Sequence, residues 1–163
     1  MKQRITPFLW FNNQAEEAAK FYTGIFKNSK IGRVARYGDA GAEVSGRRKG
    51  SVMKVDFRLD GQELVALNGG PLFKFTEAIS FVVNCKTQQE VDYYWAKLSK
   101  GGKKINCGWL TDKFGVTWQI VPTAMSRWFD GKNPKGAERS MQAMLKMCKL
   151  DIAKLKKAYE GKT

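Results

Sequence analysis

Few residues in this chain could carry chemistry on their own. There is no histidine, which removes Ser–His and Cys–His nucleophilic pairs and the commonest neutral metal ligand. The three cysteines, Cys85, Cys107 and Cys148, are odd in number and widely spaced. They make neither a CxxC pair nor a disulfide framework, and read as small buried hydrophobes. Cys107, close to Trp109, is the one that could be a reactive thiol, although a lone cysteine on a strand is more often inert packing. Glycosidase-type catalysis needs two acids converging in a cleft, and only Asp56 is a reasonable candidate. There is no P-loop, and no Rossmann-type glycine motif after a strand for S-adenosylmethionine.

Asp56 lies in the most informative short segment. Over residues 52–59 the apolar Met53, Val55, Phe57 and Leu59 alternate with Lys54, Asp56 and Arg58. Such alternation predicts a strand with one buried and one wet face. The charged face is either the polar part of a small-molecule pocket or a solvated surface whose charges pair with one another.

The surrounding elements follow from periodicity and turn signals. Residues 5–11 read as a buried strand and residues 14–26 as a helix, with Ala15, Ala18, Ala19, Tyr22 and Phe26 at three- and four-residue steps. Residues 30–37 read as a strand, and the Gly-rich stretch 38–50 as a long mobile loop. Asp60-Gly61 predicts a tight turn into a return strand over 62–67, and Asn68-Gly69-Gly70-Pro71 breaks the chain. The pattern then restarts: strand 78–85, helix 88–99, and strands 105–111 and 116–121. An offset of 73 puts Phe8 on Phe81, Glu17 on Glu90, Tyr22 on Trp95 and Ile25 on Leu98; an offset of 54 puts Gly61 on Gly115 and Leu64 on Trp118. We read this as duplication of a β-α-β-β-β unit, which predicts modules over about 3–70 and 76–123 within a domain spanning 1–125. Residues 126–163 form a C-terminal extension, with Met141, Met144, Leu145, Cys148, Ile152 and Leu155 on one amphipathic helical stripe that needs an apolar partner.

Bulk properties narrow the function. The 163 residues carry a net charge of +14, which raises the possibility of a nucleic-acid or other polyanion partner. The basic residues are dispersed, however, and Arg47-Arg48-Lys49 is the only triplet, so a merely basic surface is the simpler expectation. No apolar run is long enough to span a membrane, and Asn12-Asn13 interrupts the N-terminal apolar run too early for a secretory signal, which points to the cytoplasm.

Several stretches together carry a family resemblance. Ile5-Thr6-Pro7-Phe8-Leu9-Trp10-Phe11-Asn12, Ala15-Glu16-Glu17-Ala18 with Phe21-Tyr22, and Asn68-Gly69-Gly70-Pro71 belong to it. So do Ala78-Ile79-Ser80-Phe81, Glu90-Val91-Asp92-Tyr93-Tyr94-Trp95, Cys107-Gly108-Trp109-Leu110 and Ala143-Met144-Leu145 with Leu150-Asp151-Ile152-Ala153. The most specific stretch is Asp112-Lys113-Phe114-Gly115-Val116-Thr117-Trp118-Gln119-Ile120-Val121-Pro122. Taken together the chain resembles PhnB-like proteins, a branch of the vicinal-oxygen-chelate superfamily that also holds glyoxalase I, bleomycin-resistance proteins and extradiol dioxygenases. The branch carries the label 3-demethylubiquinone-9 3-methyltransferase. The resemblance implies an α+β fold of two paired β-α-β-β-β modules, a cleft-forming mixed sheet and a homodimer. In superfamily enzymes a divalent metal sits in the cleft, held mainly by His and Glu from the first and last strands of each module. This chain departs from that pattern: its corresponding last-strand positions are Gln119 and Val65, and its first strands offer at most Ser80. A neutral amide and an alkyl group do not anchor Mg²⁺, Fe²⁺ or Zn²⁺.

Strand alternation assigns Phe8, Trp10, Phe81, Val83, Trp118 and Ile120 to the helix side, and Pro7, Leu9, Val65, Leu67, Ser80, Val82, Asn84, Thr117 and Gln119 to the concave side with Lys54, Asp56 and Arg58. We therefore expect a small hydrophobic or aromatic molecule to bind near Lys54, Asp56, Arg58, Val65, Asn84, Trp109, Thr117 and Gln119, with no catalytic metal and no cofactor. The alternatives are an enzyme of the same fold with atypical metal ligands, and a basic scaffold that binds nucleic acid or another polyanion.

Overall fold

The computed structural model of the chain describes residues 3–162, which divide into two compact units, 3–75 and 76–162. The first unit runs β1 (Phe8–Phe11), α1 (Ala15–Ile25), β2 (Lys30–Arg36), α2 (Asp39–Ser45), β3 (Val52–Leu59) and β4 (Gln62–Asn68). Its sheet has the order β1-β4-β3-β2, with β1 parallel to β4 and the other pairs antiparallel. The second runs β5 (Phe81–Cys85), α3 (Gln88–Leu98), β6 (Lys103–Lys104), β7 (Trp109–Thr111) and β8 (Thr117–Pro122), in the order β5-β8-β7-β6 with the same sense of pairing. The α+β class and the repeated β-α-β-β-β module are thus as the sequence predicts. Three helices follow: α4 (Met125–Trp128), α5 (Pro134–Leu145) and α6 (Ile152–Glu160). Among the described residues no helix is long and apolar enough to cross a membrane.

Each module buries one face of its sheet under its own helix. On α1, Ala15, Ala18, Ala19, Tyr22 and Ile25 are buried, against Leu9, Phe11, Val55, Phe57, Leu59, Leu64 and Ala66. Small residues at the first turns let the helix approach closely, while Tyr22 stacks on Phe57 with ring centroids 6.3 Å apart. The α1 amino end is held from the sheet, because Ala15 N donates to Asn68 Oδ1 at 2.8 Å. In the second module α3 carries its own cap, Thr87 Oγ1 accepting from Glu90 N.

Several expectations need correction. Strand β1 begins at Phe8 rather than residue 5, and Ile5 is 82% exposed. Its faces are reversed: Leu9 and Phe11 are buried under α1, whereas Phe8 and Trp10 lie on the open side. The register explains why. Phe8 pairs with Val65 and Val82 pairs with Gln119, so Phe8 corresponds to Val82 rather than to Phe81. A slip of one residue moves every side chain of a strand to the other face. The stretch 38–50 is not a structureless loop; it contains α2, closed by Gly46 in the left-handed region (φ 66°). The amphipathic C-terminal segment is two helices rather than one stripe. It breaks between α5 and α6, where Asp151 caps α6 through Lys154 N. Leu155 is buried there, whereas Leu145 and Cys148 are exposed.

Candidate functional site

The open face of the first sheet gathers the charged side chains singled out from sequence. Cross-strand pairing sets them in rows. Lys30, Arg58 and Glu63 form one row, Phe8, Val65 and Asp56 the next, and Trp10, Leu67 and Lys54 the third. A cavity of about 360 Å³ opens over the first two rows, lined by Thr6, Lys30, Gly32, Lys54, Asp56, Arg58, Glu63 and Val65 among others. Gly32 belongs to this geometry: a side-chain carbon there would press on the Asp56 carbonyl oxygen at 3.0 Å, across the bulge between Ile31 and Val34.

Charge is arranged in pairs on this face. Lys54 Nζ donates to Asp56 Oδ1 at 2.6 Å, and Arg58 Nη2 to Glu63 Oε1 at 3.1 Å. All four side chains are partly exposed, so the pairs position the groups more than they stabilise the fold. Arg58 Nε is buried and has no hydrogen-bond partner. The exposed part of the guanidinium keeps further N–H donors toward the cavity side of the pair with Glu63. Glu63 is not among the candidates read from the sequence, although its parity with Val65 in the strand over 62–67 puts it on this face.

At the other end of the face the walls become aromatic and apolar. A second cavity of about 740 Å³ lies beside Trp10, Leu67, Leu72, Val44 and Arg47. Trp10 Nε1 donates to Gly70 O at 2.9 Å, and its ring meets Phe73 edge-on at 4.9 Å. Any side chain at Gly69 would collide with that indole, which gives the Asn68-Gly69-Gly70-Pro71 break a packing reason. Arg47, from the segment after α2, reaches Asn12 O and Oδ1 at 2.6 and 2.9 Å and thereby ties that segment down.

The remaining predicted site residues lie in the second unit. Val82 and Asn84 are exposed on β5, and Trp109 is half-buried on β7. Gln119 is half-buried and donates through Nε2 to Ser80 Oγ at 2.8 Å. Thr117 is 2% exposed, and its hydroxyl is without a partner. The eight candidates therefore divide four and four, with Lys54, Asp56, Arg58 and Val65 together on the first sheet and Asn84, Trp109, Thr117 and Gln119 on the second.

The donors present do not fit a resident divalent metal. Among the described residues no three Cys, Asp or Glu side chains converge, and the carboxylates of the open face are each tied to a cation. The amide of Gln119 is engaged with Ser80, and Val65 offers only an alkyl group. Nor do the turns from β1 to α1 and from β5 to α3 resemble a methyl-donor site: residues 12–14 and 86–87 contain no glycine.

Comparison with known proteins now places the chain. Residues 3–121 match the family model described as 3-demethylubiquinone-9 3-methyltransferase. Among solved structures, a PhnB protein of Bacillus cereus, described as a 3-demethylubiquinone-9 3-methyltransferase, is 36% identical. That match covers 74% of this chain and 100% of the other at a TM-score of 0.66. A Pseudomonas aeruginosa protein shares the fold at 21% identity, covering 74% of this chain and 98% of its own at a TM-score of 0.59. No curated protein matches the chain. The matched span, the Bacillus relative and the duplicated β-α-β-β-β modules make this chain a member of the PhnB-like, 3-demethylubiquinone-9 3-methyltransferase domain family, with the glyoxalase or vicinal-oxygen-chelate fold.

Proposed function

We propose that the chain binds a small organic molecule on the open face of its first sheet, and does so without a catalytic metal. The ligand has an aromatic or otherwise apolar body and an acceptor, such as a carboxylate, at one edge. The observation that carries this is Arg58: its partly exposed side chain lines a cavity of about 360 Å³ floored by Val65, beside Lys30 and Lys54. A carboxylate entering that cavity would meet the exposed N–H donors of Arg58, and Val65 supplies apolar surface, with Phe8 paired beside it in the sheet. The net charge of +14 favours encounter with an anionic ligand. Methyl transfer is not part of the proposal, since the chain lacks a methyl-donor turn. Residues 3–70 and 76–123 act as the two modules, with 126–163 as an extension, and the chain works as a cytoplasmic homodimer.

Native mass spectrometry of freshly purified protein, followed by melting in the presence of benzoate-like aromatic carboxylates and their uncharged analogues, tests this. Carboxylates should raise the melting temperature of the wild type, and Arg58→Met should lose that response while keeping its own stability. At a ligand concentration of one hundred times Kd the stabilisation is about 2.7 kcal/mol. A purified chain holding about one tightly bound metal ion, lost on chelation together with an activity, would overturn the proposal. So would equal responses from wild type and Arg58→Met.

A further inference from the structure

Two free cysteines, Cys107 and Cys148, lie where the second module meets the connection between the C-terminal helices. Cys107 is one of three described non-glycine residues with positive φ (61°), and Gly108 follows it at φ 82°. Two consecutive left-handed residues, with Trp109 N bonded to Asn106 O at 3.2 Å, form a turn of the type I′ pattern between β6 and β7. Asn-Gly suits such a turn, and a cysteine at its first central position is held there against its own backbone preference. The connection between α5 and α6 crosses this turn. Cys107 N donates to Met147 O and Gly108 N to Cys148 O, both at 2.7 Å. The second bond alone keeps the two cysteine Cα atoms within about 7.5 Å by standard bond lengths. Disulfides span Cα separations of roughly 4.4–6.8 Å. Each thiol also leans toward the other segment, Cys107 Sγ to Met144 O at 3.7 Å and Cys148 Sγ to Asn106 Oδ1 at 3.1 Å. Cys148 is exposed and Cys107 half-buried, whereas the third cysteine, Cys85, is sealed in the core.

We propose that Cys107 and Cys148 are a peroxide-responsive modification site that closes to an intramolecular disulfide. The exposed Cys148 thiolate attacks a peroxide oxygen and breaks the O–O bond; it becomes a sulfenic acid, and the peroxide leaves as water, or as an alcohol from an organic peroxide. The Cys107 thiol then attacks the sulfenyl sulfur and expels the hydroxyl as water. Two thiols lose two electrons and two protons, and one peroxide is reduced. The product pins the α5–α6 connection to the β6–β7 turn, and thiol reductants reopen it, as suits a regulatory rather than a structural bond.

Stoichiometric hydrogen peroxide applied to the reduced full-length chain, with intact-mass analysis and a non-reducing peptide map, tests the pair. The expected result is a loss of about 2 Da, a linked Cys107–Cys148 peptide, reversal by dithiothreitol and a rise in melting temperature. Cys107→Asn, which keeps a residue favoured in the turn, should fold at least as stably as wild type and show neither the mass loss nor the peroxide-induced rise. A gain of about 16 Da without a linked peptide, a disulfide-bonded dimer through Cys148, or both thiols still open to alkylation after peroxide would each overturn the proposal.

Discussion

Replacing Asp112 should cost more stability than any other single polar change in the second module. Its carboxylate is 3% exposed and organises the turn into β8. Oδ1 accepts from Phe114 N at 2.9 Å and Val116 N at 3.0 Å, and Oδ2 accepts from Trp118 Nε1 at 2.8 Å. Asp112→Ala strips all three donors of their acceptor. Phe114 is half-buried and its N–H can turn to water, but Val116 and Trp118 are buried. A buried donor left without a partner costs about 1–3 kcal/mol, so two such donors put the loss near 4 kcal/mol. For a chain of this size each kcal/mol shifts Tm by roughly 2–4 °C. The melting temperature should therefore fall by about 8–16 °C, and the urea midpoint should fall in proportion with an unchanged m-value.

Asp112→Asn discriminates the hydrogen-bond geometry from mere loss of volume. The amide has one oxygen and one NH₂, so in either orientation it faces a donor with a donor: Trp118 Nε1 in one, the two backbone N–H groups in the other. We expect a loss of about 2 kcal/mol in the better orientation. Trp118→Phe removes one side of that conflict, so the double variant Asp112→Asn, Trp118→Phe should be less destabilised than the sum of the two singles by at least about 1 kcal/mol. An Asp112→Asn variant within about 0.5 kcal/mol of wild type, or strict additivity in the double variant, would refute the role assigned to the carboxylate.

Two further outcomes follow from buried groups elsewhere. Burial, with a smaller contribution from the nearby Glu90 charge, pushes the Cys85 thiol from 9.0 up to about 12. The folded state therefore holds its proton where the unfolded chain has released it. Stability from this site is complete below pH 9 and is lost at up to about 1.4 kcal/mol per pH unit as pH rises toward 12; Cys85→Ala, compared with wild type by urea titration, should flatten that slope. Asn68→Ala should cost about 2 kcal/mol, because Asn68 Oδ1 caps the Ala15 N–H and Nδ2 satisfies Val52 O from a position 8% exposed; hydrogen exchange should show the first turn of α1 opening before the rest of the helix.

What could be read from sequence and what could not divide along physical lines. Strand β3 was legible to the residue, because Val55, Phe57 and Leu59 alternate with Lys54, Asp56 and Arg58 and leave one face assignment. Helices α1 and α3 were legible from their three- and four-residue spacing. Helix α2 was not: none of its residues is buried, so it has no apolar periodicity to announce it, and its glycines argued for a loop. The α5–α6 break was hidden because Met144 and Ile152 continue a plausible stripe across it; the Asp151 cap was the available signal. Lys54, Asp56 and Arg58 share one face of β3 as their alternation predicts, whereas Phe8 and Trp10 beside them lie on the face opposite to the one expected.

That error has a specific origin. The segment Phe8-Leu9-Trp10-Phe11 is apolar at every position, so its own sequence contains no alternation from which a face could be chosen. The only guide is the second module, where the identical pair Phe8 and Phe81 suggests a common offset of 73 for strand and helix alike. The helices do keep that offset, since Ala18, Tyr22 and Ile25 occupy the buried positions that Val91, Trp95 and Leu98 occupy in α3. The strands are offset by 74, because Phe8 and Val82 hold equivalent places beside Val65 and Gln119. The difference is absorbed in the strand-to-helix turn, which is three residues long after β1 (12–14) and two after β5 (86–87). A turn can lose a residue at little cost, because its backbone is solvated and its length is not fixed by packing. A strand cannot, because the same shift would bury Phe8 and Trp10 and expose Leu9 and Phe11. The duplicated modules therefore diverged where a length change costs least. The consequence for function is that Phe8 and Trp10 stand on the same open face as Asp56 and Lys54, so that apolar walls and paired charges meet on one side of a single sheet.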